Sequence, residues 1–164
     1  MRTFTDTAGR TWTIQLNLGT AKRVRDTLNV DLLQPEQGDP PLLTRIGTDE
    51  LLLGEVICCL LADQFEARKV TDADIRNSFD GATLLAAQKA FYEEIEDFFR
   101  QRGRLDRARM VATQKQVIEA AIKAVDQKLS AVDVEKAVQD AMTAGPVGKT
   151  SGGLPVQSGS IQTP

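Results

Sequence analysis

The sequence predicts a mainly α protein: a helical bundle with a small N-terminal β-hairpin, long C-terminal helices and a disordered tail. Three observations predict it. Apolar residues recur at spacings of three and four through most of 49–143. Only the stretch 4–16 alternates with period two. From Gly145 onward the chain is rich in Gly, Ser, Pro and Thr and has no periodicity. Aromatic residues make up only 5% of the chain, and abundant Ala and Leu favour helix.

The hairpin is read from "TFTDTAGRTWTIQLNL". Trp12, Ile14 and Leu16 alternate with polar neighbours, and Gly9 can supply the positive φ of the connecting loop. Phe4, Trp12, Ile14 and Leu16 are expected on its buried face. A two-stranded hairpin is marginal alone, so it must pack on helices. Val24 and Leu28, four apart, predict a short helix over about 19–28, and "QPEQGDPP" reads as a loop. Thr48 is expected to cap a helix running to about Arg68, with Asp49 and Glu50 in its first turn. Its apolar positions leave almost no polar face, which predicts a central, covered helix. Thr71 followed by Asp74 predicts another start by a near capping box.

A longer helix is predicted over 81–101, with Leu84, Ala87, Phe91, Ile95 and Phe98 inward and Glu93, Glu94, Glu96 and Asp97 on its wet side. Gly103 is placed to end it. Beyond Leu105, a narrow stripe of Val111, Ile118, Ala121, Ile122, Val125 and Leu129 predicts a second long helix. Ser130 with Asp133, then Val134, Val138 and Ala141, predicts one more. The expected organisation is a hairpin-plus-helix body over 1–102, amphipathic helices over 103–143, and a disordered tail over 144–164. The chain shows no internal repeat.

Net charge is −3, which gives no general attraction to nucleic acid. Its distribution is uneven. Residues 48–99 hold twelve acids and four bases, and 100–109 hold five arginines and one acid. The longest apolar run, "LLLGEVICCLLA", is too short to span a membrane and contains Glu55. No apolar leader follows Met1, so the expected location is the cytoplasm. Cys58 and Cys59 are adjacent inside that run, read as small core residues rather than a disulfide framework.

Catalytic chemistry is sparse. "GPVGKTSGG" at 145–153 looks like a phosphate-binding loop, but the pattern needs a glycine where Thr143 stands. It also needs a strand before and a helix after, whereas a helical stretch precedes it and a Gly/Ser/Pro tail follows. Histidine is absent, so there is no imidazole base and no ready zinc set. The acids at 93–97 could in principle supply paired carboxylates, but they read as one side of an amphipathic helix. No catalytic residue, cofactor or metal site is expected, and the chain is read as non-enzymatic.

Over about residues 3–102 the chain resembles the tail assembly chaperones of long-tailed bacteriophages and related prophages. The resemblance is carried by Asp6-x-x-Gly9-Arg10-x-Trp12, by "KRVRDTLNVDLL", and by the acidic-aromatic "EEIEDFF". It implies a protein that binds the long, helical tape measure protein, keeps it soluble and helps recruit tail tube subunits. It also implies work in the host cytoplasm and absence from the finished virion. The alternative reading is a virion structural protein, a tail tube or head–tail connector component. A homo-oligomer stays open beside a monomer. Glu93, Glu96 and Asp97 are expected to meet basic helical segments of the client.

Members of this family are often made in two lengths by ribosomal slippage, the longer form reaching the tail tube protein. Gly148–Lys149 can be written GGA-AAA or GGA-AAG, which permits re-pairing after a one-base slip. Pro40–Pro41 and Phe98–Phe99 also permit it. Only Gly148 lies beyond the last predicted helix, where a new domain would be tolerated.

Overall fold

In the computed structural model, which describes residues 1–130, the chain opens as an antiparallel hairpin of β1 (Arg2–Thr5) and β2 (Thr11–Ile14). Phe4 pairs across from Trp12 and Arg2 from Ile14. Successive strand side chains point to opposite faces, so these two pairs share one face and the threonines take the other. Phe4, Trp12, Ile14 and Leu16 are all buried, as the alternation predicts. Gly9 turns the chain at φ 76°. The outer edge of β2 is not left open. The side-chain amide of Gln64 donates to Thr13 O at 2.7 Å, and its carbonyl accepts from Thr13 N at 3.2 Å. It satisfies a backbone pair that a third strand would otherwise take.

Asn17 caps α1 (Leu18–Leu28) in a reciprocal box with Thr20, and Asn29 ends it in the left-handed conformation. A helix the sequence reading left out follows, α2 (Leu42–Thr48). Seven residues carry too short a periodicity to declare themselves. Leu42, Leu43 and Ile46 bury, and this contact holds the segment in place. This corrects the placement of the next cap. Thr48 ends α2, its hydroxyl donating to Thr44 O at 2.9 Å. Asp49 instead takes extended backbone and accepts from Leu52 N at 2.9 Å, capping α3 (Glu50–Leu61).

α3 is the central helix, touching α1, α2, β2 and the later helix over Gly81–Gln101. It stops earlier than its apolar pattern suggested. A 3-10 turn (Ala62–Gln64) and one helical turn, α4 (Phe65–Arg68), continue the path to Lys69 at positive φ. Leu51 departs from the covered-helix reading, at 84% exposed. α5 (Asp72–Asn77) begins at the Thr71–Asp74 box, and α6 (Gly81–Gln101) is capped by Asp80. α6 lies along the hairpin and against α3, burying Ala87, Phe91, Tyr92, Ile95 and Phe99. The Tyr92 hydroxyl donates to Leu43 O at 2.6 Å and ties α6 to α2.

Gly103, at φ 77°, lets Arg104 N bond back to Phe99 O and turns the chain into α7 (Leu105–Ser130). Met1–Ala124 forms one compact unit. The expected helix from Ser130, the tail over 144–164 and the Gly148–Lys149 position lie outside the described residues. Among the described residues, no helix is long and apolar enough to cross a membrane.

Candidate functional site

The motif Asp6-x-x-Gly9-Arg10-x-Trp12 folds into a closed polar knot. One carboxylate oxygen of Asp6 accepts from Ala8 N at 3.0 Å and Arg10 N at 2.9 Å. The other accepts from Arg10 Nε at 2.7 Å, Trp12 Nε1 at 2.8 Å and Ser78 Oγ at 3.2 Å. Burial by itself would raise the Asp6 pKa. The hydrogen bonds from Trp12 and from Arg10 outweigh it and lower the carboxyl to about 2. Every lone-pair direction is used, so this group binds nothing further. Its role is to pin the hairpin turn to α5.

The acidic stretch of α6 is equally engaged. Arg2 pairs with Asp97 and, at 3.7 Å, with Glu93. Arg100 pairs with Glu96 and, at 3.6 Å, with Asp97. Lys115 of α7 approaches Glu93 at 3.4 Å. Three acids thus meet three cations of the same chain on a half-buried surface. Glu94 departs from the wet-side reading altogether. It is buried, accepts from Leu16 N at 3.0 Å, and has its other oxygen 2.7 Å from the amino group of Met1. Helical periodicity put it beside Glu93, but the hairpin packs over that part of α6 and turns the residue inward.

Cys58 is buried on α3, and Cys59 is half-buried. Burial pushes the Cys58 thiol up to about 11 and raises Cys59 as well, so neither is a ready thiolate at neutral pH. Among the described residues, no group of His, Cys, Asp or Glu is placed to hold a metal ion.

Several large apolar side chains are also left uncovered. α7 reaches the body through Ala108, Val111 and Ile118, which are buried. On either side of Ile118 the helix stands away from its neighbours. A cleft of about 620 Å³ opens between α7 and the α2–α3 junction with α6, lined among others by Leu53, Leu84, Leu85, Val117 and Ile122. A second, of about 240 Å³, shares Leu85, Gln88, Ile118 and Ile122 and ends near Lys89, Lys115 and Glu119. Leu85, Val117 and Ile122 are 62%, 55% and 56% exposed. The stripe through Ile118 and Ile122 was legible as periodicity. Leu85 was not, because it stands beside Leu84 and off the stripe expected to face inward. Gly47 was also missed. A Cβ there would meet the end of the Ile118 side chain and lie 2.7 Å from the Tyr92 hydroxyl, so any larger residue pushes these two side chains aside.

No family model matches the chain, and neither does a curated protein or a solved structure.

Proposed function

We propose that this chain is a tail assembly chaperone of a long-tailed phage or prophage, a non-enzymatic protein that binds the tape measure protein and keeps it soluble. The observation that carries this reading, beside the resemblance over 3–102, is the uncovered apolar cleft around Ile118 in a body whose acids at Glu93, Glu96 and Asp97 are paired with its own cations. An open apolar surface rimmed by polar groups suits a protein partner, and a groove between helices suits an amphipathic helix. Basic residues of the client reach Glu93, Glu96 and Asp97 only by displacing Arg2, Arg100 and Lys115. The apolar cleft, rather than the acidic stretch, therefore supplies most of the binding.

Co-expression tests this. The tape measure protein made with this chain is expected in the soluble fraction, and made alone in the pellet. The double substitution Leu85→Glu and Ile122→Glu, both at exposed positions, is expected to return it to the pellet while helicity stays intact. Client that stays insoluble with the wild-type chain defeats the reading. Finding the chain in purified particles would favour a virion structural protein instead.

On the same reading, recruitment of the tail tube protein belongs to a longer slippage product. Codons at 147–149 that read G-GGA-AAR, with an open overlapping frame, and a minor longer product sharing residues 1–149 by mass spectrometry are the expected results. Other codons there, or no overlapping frame, rule out this slip position.

A further inference from the structure

We propose that the outer edge of β1 and the flank of α6 beside it form a docking groove for an extended segment of a partner polypeptide, which joins the hairpin as a third strand; this goes beyond the chaperone reading and does not rest on it. The hydrogen bonds of the hairpin show which backbone groups are free. In an antiparallel pair, residues that exchange both ladder bonds alternate with residues whose N–H and C=O turn outward. Gln64 reaches Thr13 N and Thr13 O from outside the hairpin, so Thr13 is of the outward kind. Thr3 is its cross-strand neighbour, and Thr5 lies two positions on. The N–H and C=O groups of Thr3 and Thr5 therefore point away from β2. Among the described residues, nothing bonds to these four groups, and both threonines are exposed. At Thr7 the same edge is closed again, where Thr7 N donates to Ser78 O at 3.3 Å.

The two edges of the hairpin are thus treated differently. An unpaired edge is a template for another strand, and proteins commonly blunt it with proline or a bulge. β2 is closed by Gln64, whereas β1 has neither proline nor bulge over Thr3 and Thr5. Beside β1 lies a groove of about 400 Å³, walled by residues 1–4 on one side and by Ala86, Lys89, Ala90 and Glu93 of α6 on the other. At about 3.3 Å per strand residue, 1–4 spans about 10 Å. At about 1.5 Å per helical residue, 86–93 spans about 10 Å as well. The walls match in length, and an extended stretch of about four residues runs between them.

The chemistry of the segment follows from the walls. Side chains alternate across a strand, so every second one of the added strand turns toward α6, on the face that holds Phe4. Ala86 and Ala90, four apart on the helix, leave room there for a β-branched apolar side chain. Lys89 is exposed and has no ion pair among the described residues, whereas Glu93 already meets Lys115 and Arg2. The lip therefore complements a carboxylate two residues along the segment. Backbone bonds to Thr3 and Thr5 supply affinity, and these two side chains supply selectivity. The intervening side chains join the threonine face of the hairpin. A second copy of this chain suits the edge less well. Pairing Thr3 with Thr5 of the other copy sets that copy's Met1 against Thr7, where Ser78 already sits.

Two peptides probe the groove in the full chain: acetyl-Thr-Val-Thr-Glu-Thr-amide and the peptide of reverse order, one for each strand direction. With one of them at about 5 mM, solvent exchange of the Thr3 and Thr5 amides is expected to slow about 10-fold, while Thr11 on the opposite edge is unchanged. The same peptide N-methylated at its threonines keeps its side chains, loses the donors that face Thr3 and Thr5, and is expected to give no protection. Lys89→Glu is expected to weaken the peptide about 10-fold, and a peptide with Lys in place of Glu to recover binding to that variant. Ala86→Phe, at an exposed position, is expected to fill the groove and abolish protection with the urea midpoint unchanged. Unchanged exchange with both peptides, or equal protection by the N-methylated one, overturns the groove. Protection of Thr3 and Thr5 that rises with protein concentration without peptide, together with a dimer mass by light scattering, assigns the edge to a second copy and overturns the partner segment.

Discussion

Asp6→Ala is expected to lower the unfolding free energy by about 3–4 kcal/mol at neutral pH, because it strips a buried, fully used acceptor from its donors. Trp12 Nε1 has no water to turn to, and the Arg10 guanidinium loses the charge beside it. Asp6→Asn is expected to lose most of the same amount. Its amide offers one oxygen, so either the two backbone donors or the Trp12, Arg10 and Ser78 donors must face an NH₂ group. Urea melts of the three proteins check this, and a loss below about 1 kcal/mol for Asp6→Ala would falsify the load assigned to the knot.

The same carboxylate sets a pH dependence. Its folded pKa, about 2, lies below the unfolded value of about 3.9. A depressed acid stabilises the fold fully above the unfolded pKa, and that contribution fades as pH falls through the folded one. Between about pH 5 and pH 2 the wild-type advantage over Asp6→Asn is expected to shrink by about 2 kcal/mol. Working with the difference cancels the exposed acids, such as Asp26, Asp74 and Asp80, whose pKa values are also lowered.

Trp12→Ala is expected to cost about 3–5 kcal/mol, the range for emptying a large aromatic from a core. The ring is fully buried, meets Phe65 edge-on at 6.1 Å, and lies 4.6 Å beneath the Arg68 guanidinium. It joins the hairpin to the α3–α4 path, so its loss loosens two layers at once. Trp12→Phe keeps most of the area but abandons the bond to Asp6 and is expected to cost about 1–2 kcal/mol. Because Asp6 and Trp12 share that bond, the double alanine variant should lose at least about 0.5 kcal/mol less than the two single losses together. Strict additivity, or a Trp12→Ala loss below about 1 kcal/mol, would refute this placement.

Helical periodicity stops being informative at the acidic stretch of α6. It separates the inward and outward sides of α6 correctly at Phe91 and Ile95. It cannot register that the hairpin lies along the helix, buries Glu94 and delivers Arg2 to Asp97 across 95 positions of sequence. The knot was hidden for a related reason. Asp6, Gly9 and Arg10 look like turn residues, which they are, but Ser78 joins them only through packing of α5.

Local rules sufficed for the hairpin, the caps at Thr71 and Gly103 and the helical class, since each depends on residues close to one another in sequence. Tertiary structure alone decided the rest. It kept the short α2 helical by burying Leu42, Leu43 and Ile46, and it moved the α3 cap from Thr48 to Asp49. It also set how far the body extends along α7. One stripe begins covered at Val111 and is open by Ile122. The residues of that stripe are alike in character, and whether each is core or surface depends on where α2, α3 and α6 end, which no pattern inside α7 encodes.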